Sequence, residues 1–118
     1  MFLIDTSAWI RHLKGLDTPL SNMLEANEVL IHPFVVGELA CGALKARKQV
    51  LELLEALPSV LTVDHKEVLT MLDAHKIYAS GIGWVDAHLL ASCLINRCQL
   101  LTYDKALSKI SKKLGVSE

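Results

Sequence analysis

Trp84-Val85-Asp86-Ala87-His88-Leu89-Leu90-Ala91-Ser92-Cys93-Leu94-Ile95 places Asp86, Leu89, Leu90, Cys93 and Leu94 on one stripe at helical spacing. The helix is expected from about Val85 to Arg97. It leads into Gln99-Leu100-Leu101-Thr102, a short apolar strand, and then into a last helix from Asp104 to Leu114. Helix, short apolar strand, helix is the unit of an α/β domain with a parallel sheet. Four positions of the stripe are apolar. The fifth, Asp86, is a carboxylate that burial among apolar groups would make costly unless it finds a partner. A place at the helix start offers one, because backbone N–H groups and the helix dipole favour an anion there. A hydrogen-bond donor, a cation or a metal would serve as well.

The same alternation runs through the earlier chain. Phe2-Leu3-Ile4 reads as a buried strand that stops at Asp5-Thr6-Ser7, and Ser7 to Lys14 as a helix closed by Gly15. Thr18-Pro19 starts a helix through Ala26. Val29-Leu30-Ile31 is a second strand. Helices are expected from Pro33 to Ala46 and from Lys48 to Leu57, the latter stopped by Pro58. Val60-Leu61-Thr62-Val63 is a third strand, and Asp64 caps a helix reaching Ile77. Ser80-Gly81-Ile82-Gly83 then breaks the chain before the stretch quoted above. The sum is one domain over residues 1–118, with a central parallel sheet of four strands flanked by helices in three layers. The short tail after Leu114 leaves a fifth strand open.

In such sheets ligands bind beyond the carboxyl ends of the strands. Asp5 directly follows the first strand, and Asp104 lies two residues after Thr102 at the end of the last. Asp86 begins the helix that feeds that last strand. Glu38 rides a helix with Phe34, Val35, Cys41 and Gly42 at three- and four-residue spacings. Each acid has an ordinary alternative: Asp5, Asp86 and Asp104 as helix caps, Glu38 paired with Lys45 or Arg47. Asp5 and Asp104, however, share one sheet edge by construction. Clustered carboxylates raise one another's pKa, and a hard divalent cation such as Mg²⁺ removes the conflict. A cation so held can activate water and steady a phosphoryl transition state.

Leu3-Ile4-Asp5-Thr6-Ser7, Gly37-Glu38-Leu39, Val85-Asp86-Ala87-His88-Leu89-Leu90-Ala91 and Leu101-Thr102-Tyr103-Asp104 together resemble the four signature segments of PIN-domain ribonucleases. The resemblance is nearest to the VapC-type toxins of toxin–antitoxin pairs, and it covers nearly the whole chain in order and spacing. It implies that Asp5, Glu38, Asp86 and Asp104 bind Mg²⁺ or Mn²⁺ and form the catalytic site. It implies that Thr6, Ser7 and Thr102 support that pocket, and that water cleaves single-stranded or loop RNA. It further implies a homodimer silenced by a small antitoxin protein. The chain departs at His88, where many relatives carry a small or apolar residue.

Composition narrows the alternatives. Net charge is −1, so no strong basic field announces nucleic acid and a partner of that kind needs a local patch or a metal. Cys41, Cys93 and Cys98 are an odd number without Cys-x-x-Cys spacing, which points to reduced thiols and a cytoplasmic setting. No apolar run has the length of a membrane span. A P-loop is absent, and Gly81-Ile82-Gly83 lacks the third glycine of a dinucleotide site. An aspartyl-phosphate enzyme of haloacid type wants an Asp where Ser7 stands. A catalytically silent RNA- or protein-binding module of the same fold is the non-enzymatic alternative, and the four intact acids argue against it.

The remaining conspicuous residues read more plainly. Trp84 is a base-stacking or interface residue, and Trp9 a packing or interface residue. His88 is expected to face solvent, near phosphate. His65 and His75 are surface groups. Lys105, Lys109, Lys112 and Lys113 form a solvated face or an RNA-backbone patch. Cys41 and Cys93 read as small buried hydrophobes.

Overall fold

Phe2, Leu3 and Ile4 form β1 (Phe2–Ile4), and the sheet is built around it in a computed structural model that describes residues 1–117. β2 (Val29–Leu30) pairs with β1 in parallel, Phe2 opposite Val29. β3 (Gln99–Leu101) pairs with its other edge, also in parallel, Phe2 opposite Gln99 and Ile4 opposite Leu101. The strand order is β2-β1-β3. The chain therefore moves one way from β1 to β2 and returns past β1 to reach β3. That reversal opens a crevice at the carboxyl ends of β1 and β3.

Seven helices flank the sheet among the described residues: α1 (Thr6–Leu13), α2 (Leu20–Glu25), α3 (Pro33–Ala40), α4 (Arg47–Ala56), α5 (His65–Ala74), α6 (Trp84–Asn96) and α7 (Lys105–Lys113). One core gathers Leu3 and Ile4 of β1, Trp9 of α1, Leu89, Leu90 and Cys93 of α6, and Leu107 of α7. A smaller one joins Val63 and Val68 to Ala87 and Ala91. α6 is thus covered on two sides, and its residues Ala87 to Cys93 are all buried. The single stripe expected from spacing accounts for Leu89, Leu90 and Cys93. The small Ala87 and Ala91 let α5 pack closely on another side.

Three expectations are corrected. The sheet has three strands among the described residues, not four. Ile31 and Ser59 form an isolated parallel bridge, with Ile31 N–H donating to the Pro58 carbonyl and Val60 N–H to that of Ile31. The ladder goes no further. The Leu61 backbone N–H donates to Asn96 Oδ1, and Asn96 Nδ2 donates back to the Leu61 carbonyl, each at 3.0 Å. A side-chain amide at the end of α6 has taken the place of a neighbouring strand. The tail comes no nearer to a fifth strand: Val116 accepts one bond from Leu100, and no ladder follows among the described residues. The helix expected from Pro33 to Ala46 ends at Ala40. The chain there passes Gly42 and turns through a left-handed backbone at Ala46 (φ 50°) before α4 begins. Cys41, just past α3, is exposed, whereas Cys93 is buried.

Candidate active site

Asp5 stands at the carboxyl end of β1 and caps α1, its Oδ1 accepting from Ala8 N–H at 2.9 Å. It is 4 % exposed, so its charge needs several donors. Ser7 Oγ donates to Oδ1 at 2.7 Å and Thr102 Oγ1 to Oδ2 at 2.5 Å. The same hydroxyls accept from the segment between β3 and α7: Tyr103 N–H donates to Ser7 Oγ and Asp104 N–H to Thr102 Oγ1, each at 3.0 Å. Ser7 and Thr102 therefore stitch the end of β1 to the end of β3 through Asp5. Their oxygens lie 3.4 Å apart, but both protons are already committed to Asp5, so that approach is packing.

The remaining acids enter from helix ends. Asp104 caps α7, Oδ1 accepting from Leu107 N–H at 2.9 Å. Asp86 is not an N-cap; Gly83 holds that position and Asp86 sits three residues inside α6, Oδ2 accepting from Gly83 N–H at 3.0 Å. The loop before α6 comes close to α7. Gly81 has φ 89°, and a Cβ there would meet the Cβ of Ala106 at 3.4 Å. Glu38, exposed on α3, is fixed by Thr6 Oγ1, which donates to Oε1 at 2.6 Å.

Asp5, Glu38, Asp86 and Asp104 line one cleft of about 160 Å³ with Thr6, Ser7 and Leu89, and the lining holds no Lys, Arg or His. All seven residues expected from sequence lie on this network or lining. Capping and convergence turn out not to exclude each other: Asp5 and Asp104 cap helices and face the cleft as well. Burial pushes the Asp86 carboxyl above its ordinary range; the charges of Asp104, Asp5 and Glu38 push the same way, and the Gly83 N–H pulls against them.

Among the described residues no three His, Cys, Asp or Glu side chains form a ready-made metal cage. The donor set nevertheless suits a hard cation. One oxygen each of Asp86, Asp104 and Glu38 is held by a local donor, and the other has no hydrogen-bond partner among the described residues. Mg²⁺ keeps several waters, so a few carboxylates around an open cleft are enough to hold it.

The charge on Asp86 leads to a measurable stability effect. A carboxyl whose folded pKa is raised adds stability below its unfolded pKa, and that contribution is lost as pH rises through the folded value. At neutral pH ionised Asp86 weakens the metal-free fold. Asp86→Asn keeps an oxygen for Gly83 N–H and removes the charge, so it is expected to melt a few degrees higher than wild type in chelator. Mg²⁺ should raise the wild-type melting temperature and leave the variant's nearly unmoved. A variant that melts lower, beside a wild type indifferent to Mg²⁺, would reduce Asp86 to a helix-end contact.

Several neighbours differ from expectation. His88 is buried at 6 % exposure, not solvent-facing. Its ring meets those of Trp84 at 4.6 Å and Phe34 at 4.8 Å, edge to face. The i, i+4 spacing of Trp84 and His88 was the available signal. His65 is exposed as expected but lies 4.9 Å from Trp84. Trp9 is fully buried and so takes no part in an interface. In the sequence His32 reads only as the end of the second apolar run, before Pro33. It is fully buried, and its Nδ1 caps α3 by accepting from Phe34 N–H at 3.0 Å.

A family model for the PIN domain matches residues 2–113. The chain is 41% identical over 118 residues to "Ribonuclease VapC32" of Mycobacterium tuberculosis, in each of two strains, covering 99% of this chain and 95% of the relative.

Proposed function

The chain belongs to the PIN-domain family, and on that premise we propose that it is a metal-dependent endoribonuclease and the toxin of a toxin–antitoxin pair. The observation that carries this reading is the cleft itself: four carboxylates from separate elements, no cation in the lining, and an Asp86 carboxyl that feels the other three. Asp5, Glu38, Asp86 and Asp104 would hold Mg²⁺ or Mn²⁺. Such an ion, when bound, lowers the pKa of water and neutralises charge developing on phosphate. The chain's own part is to fix the four acids. Ser7 and Thr102 set both oxygens of Asp5. Thr102 also seats the backbone of Asp104, Thr6 aims Glu38, and the start of α6 presents Asp86.

Two partner surfaces go with this reading. An apolar groove of about 560 Å³ between α1, α3 and α4 includes Ile10, Leu13, Leu39 and Val50, and it reaches Glu38. An amphipathic antitoxin segment seated there would extend over the acid cleft. Leu61 and Ile95 are 69% and 50% exposed. They flank the Leu61–Asn96 pairing and offer an apolar patch for a second copy. Light scattering is expected to give twice the 13.0 kDa of one chain; a clean monomer at micromolar concentration would refute the dimer. The deciding experiment for the enzyme is incubation with a panel of structured RNAs plus Mg²⁺, Mn²⁺ or chelator. Cleavage within the chain is expected with metal alone. Cleavage that persists in chelator would overturn the metal mechanism, and no cleavage across the panel would favour a silent binding module.

A further inference from the structure

We infer that single-stranded RNA runs from the acid cleft along the outer face of α7, with its phosphates on Lys105, Lys109 and Lys112; this rests on the ribonuclease reading. A polyanion that approaches four carboxylates is repelled unless a positive surface lies beside them. α7 supplies one. Its nine residues hold four of the chain's 12 Lys and Arg and no Asp or Glu, so no ion pair within the helix can neutralise it. Leu107, Ile110 and Ser111 bury one side. Lys105, Lys109 and Lys112, at i, i+4 and i+7, are exposed together on another.

The three lysines line a shallow groove of about 360 Å³ with Thr102, Tyr103 and Asp104. Asp104 lines the acid cleft as well, so the two depressions share it as a wall. Tyr103, 44% exposed, lines the groove next to Asp104. The Arg11 guanidinium lies 5.0 Å from the centre of its ring, which adds positive charge beside the groove. From Lys105 to Lys112 the helix rises roughly 10 Å, enough to meet successive phosphates.

Binding of a fluorescent oligouridylate to the full chain in chelator, across roughly 50 to 200 mM salt, tests the track without turnover. Each lysine–phosphate contact adds about 0.7 to the slope of log affinity against log salt for a single strand. The K105Q/K109Q/K112Q variant is expected to lower the slope by about 2 and to weaken low-salt binding on the order of 10- to 100-fold. The corresponding triple arginine variant should keep the slope, which separates lost charge from lost structure. K48Q/K66Q/K76Q makes the same change in net charge at exposed positions off α7 and should leave the slope near wild type. An unchanged slope in K105Q/K109Q/K112Q, or an equal fall in K48Q/K66Q/K76Q, would overturn the track and show α7 as a solvated face. Cleavage of the same RNA with Mg²⁺ is scored separately. A wild type that cleaves but shows no lysine-dependent slope refutes the track alone. One that binds through these lysines and never cleaves refutes the catalytic reading alone.

Discussion

Asp5→Asn is expected to lower RNA cleavage about 10²- to 10³-fold while the protein still folds, the scale seen when a preorganised group at the reacting charge is removed. Asp5 is the most buried of the four acids and the one to which both strand ends are tied. Asparagine retains an oxygen for Ala8 N–H, so α1 keeps its cap. It loses the negative charge, and its amide N–H₂ replaces Oδ2, facing the Thr102 hydroxyl that donates to Asp5 and accepts from the Asp104 amide. That hydroxyl must turn its proton elsewhere, whereas Ser7 keeps its acceptor in Oδ1. Thr102→Val is the graded companion. It keeps the shape, removes one donor to Asp5 and leaves Asp104 N–H without its acceptor. A loss of about 10- to 100-fold is expected, the usual cost of a group that orients a metal ligand. Single-turnover cleavage with saturating Mg²⁺ measures both. Full activity in Asp5→Asn, or a greater loss in Thr102→Val than in Asp5→Asn, would contradict the roles assigned here.

The second large effect is acid lability. His32 is fully buried, and burial, then the nearby charge of His88, lower its pKa from 6.5 to about 4. With Nδ1 accepting from Phe34 N–H, the proton of the neutral ring lies on Nε2, which is buried and has no partner among the described residues. Protonation would break the cap of α3 and bury a charge. The unfolded chain binds this proton readily below pH 6.5, whereas the folded chain resists it down to about pH 4. Stability is therefore complete above the unfolded pKa and falls as pH drops through that window, by on the order of 3 kcal/mol in total. His32→Asn preserves a good capping side chain and removes the titration. The smaller residue leaves space beside Phe34 and His88, so the variant should be less stable at neutral pH. Urea unfolding at several pH values should nonetheless show a flatter dependence between pH 7 and 4.5 than wild type has. Parallel pH profiles for the two proteins would rule out His32 as the source. Asp86 acts in the opposite direction, since its raised pKa favours the fold in acid. The difference between wild type and variant isolates His32 from it.

The sequence by itself determined the order of the elements that carry the site. Phe2–Ile4 is a short apolar run followed at once by the capping Asp5, and Gln99–Leu101 is followed three residues on by the capping Asp104, so both acids had to fall at one sheet edge once the strands were parallel. Periodicity placed Leu89, Leu90 and Cys93 in the core, because apolar burial along a helix repeats with its turn.

What periodicity cannot carry is the identity of the neighbour. Val60–Val63 has strand-like composition, but its place beside Ile31 depends on Asn96, distant in sequence, which meets the Leu61 backbone with an amide. His88 leaves the apolar stripe, yet Phe34 and Trp84 close over it, and a helix packed on two sides has little solvent face left. The left-handed turn at Ala46 is carried by a residue with no strong local preference for it, so the end of α3 had little local signal beyond Gly42.

The cleft lies between these cases. Its acids were legible as residue types at strand and helix ends. Their support by Thr6, Ser7 and Thr102 is a matter of hydroxyl geometry across three strand and helix ends. Which oxygens are left without a partner for a cation was decided only when the tertiary structure brought those ends together, because hydrogen bonds reach about 3 Å and sequence spacing does not report such distances.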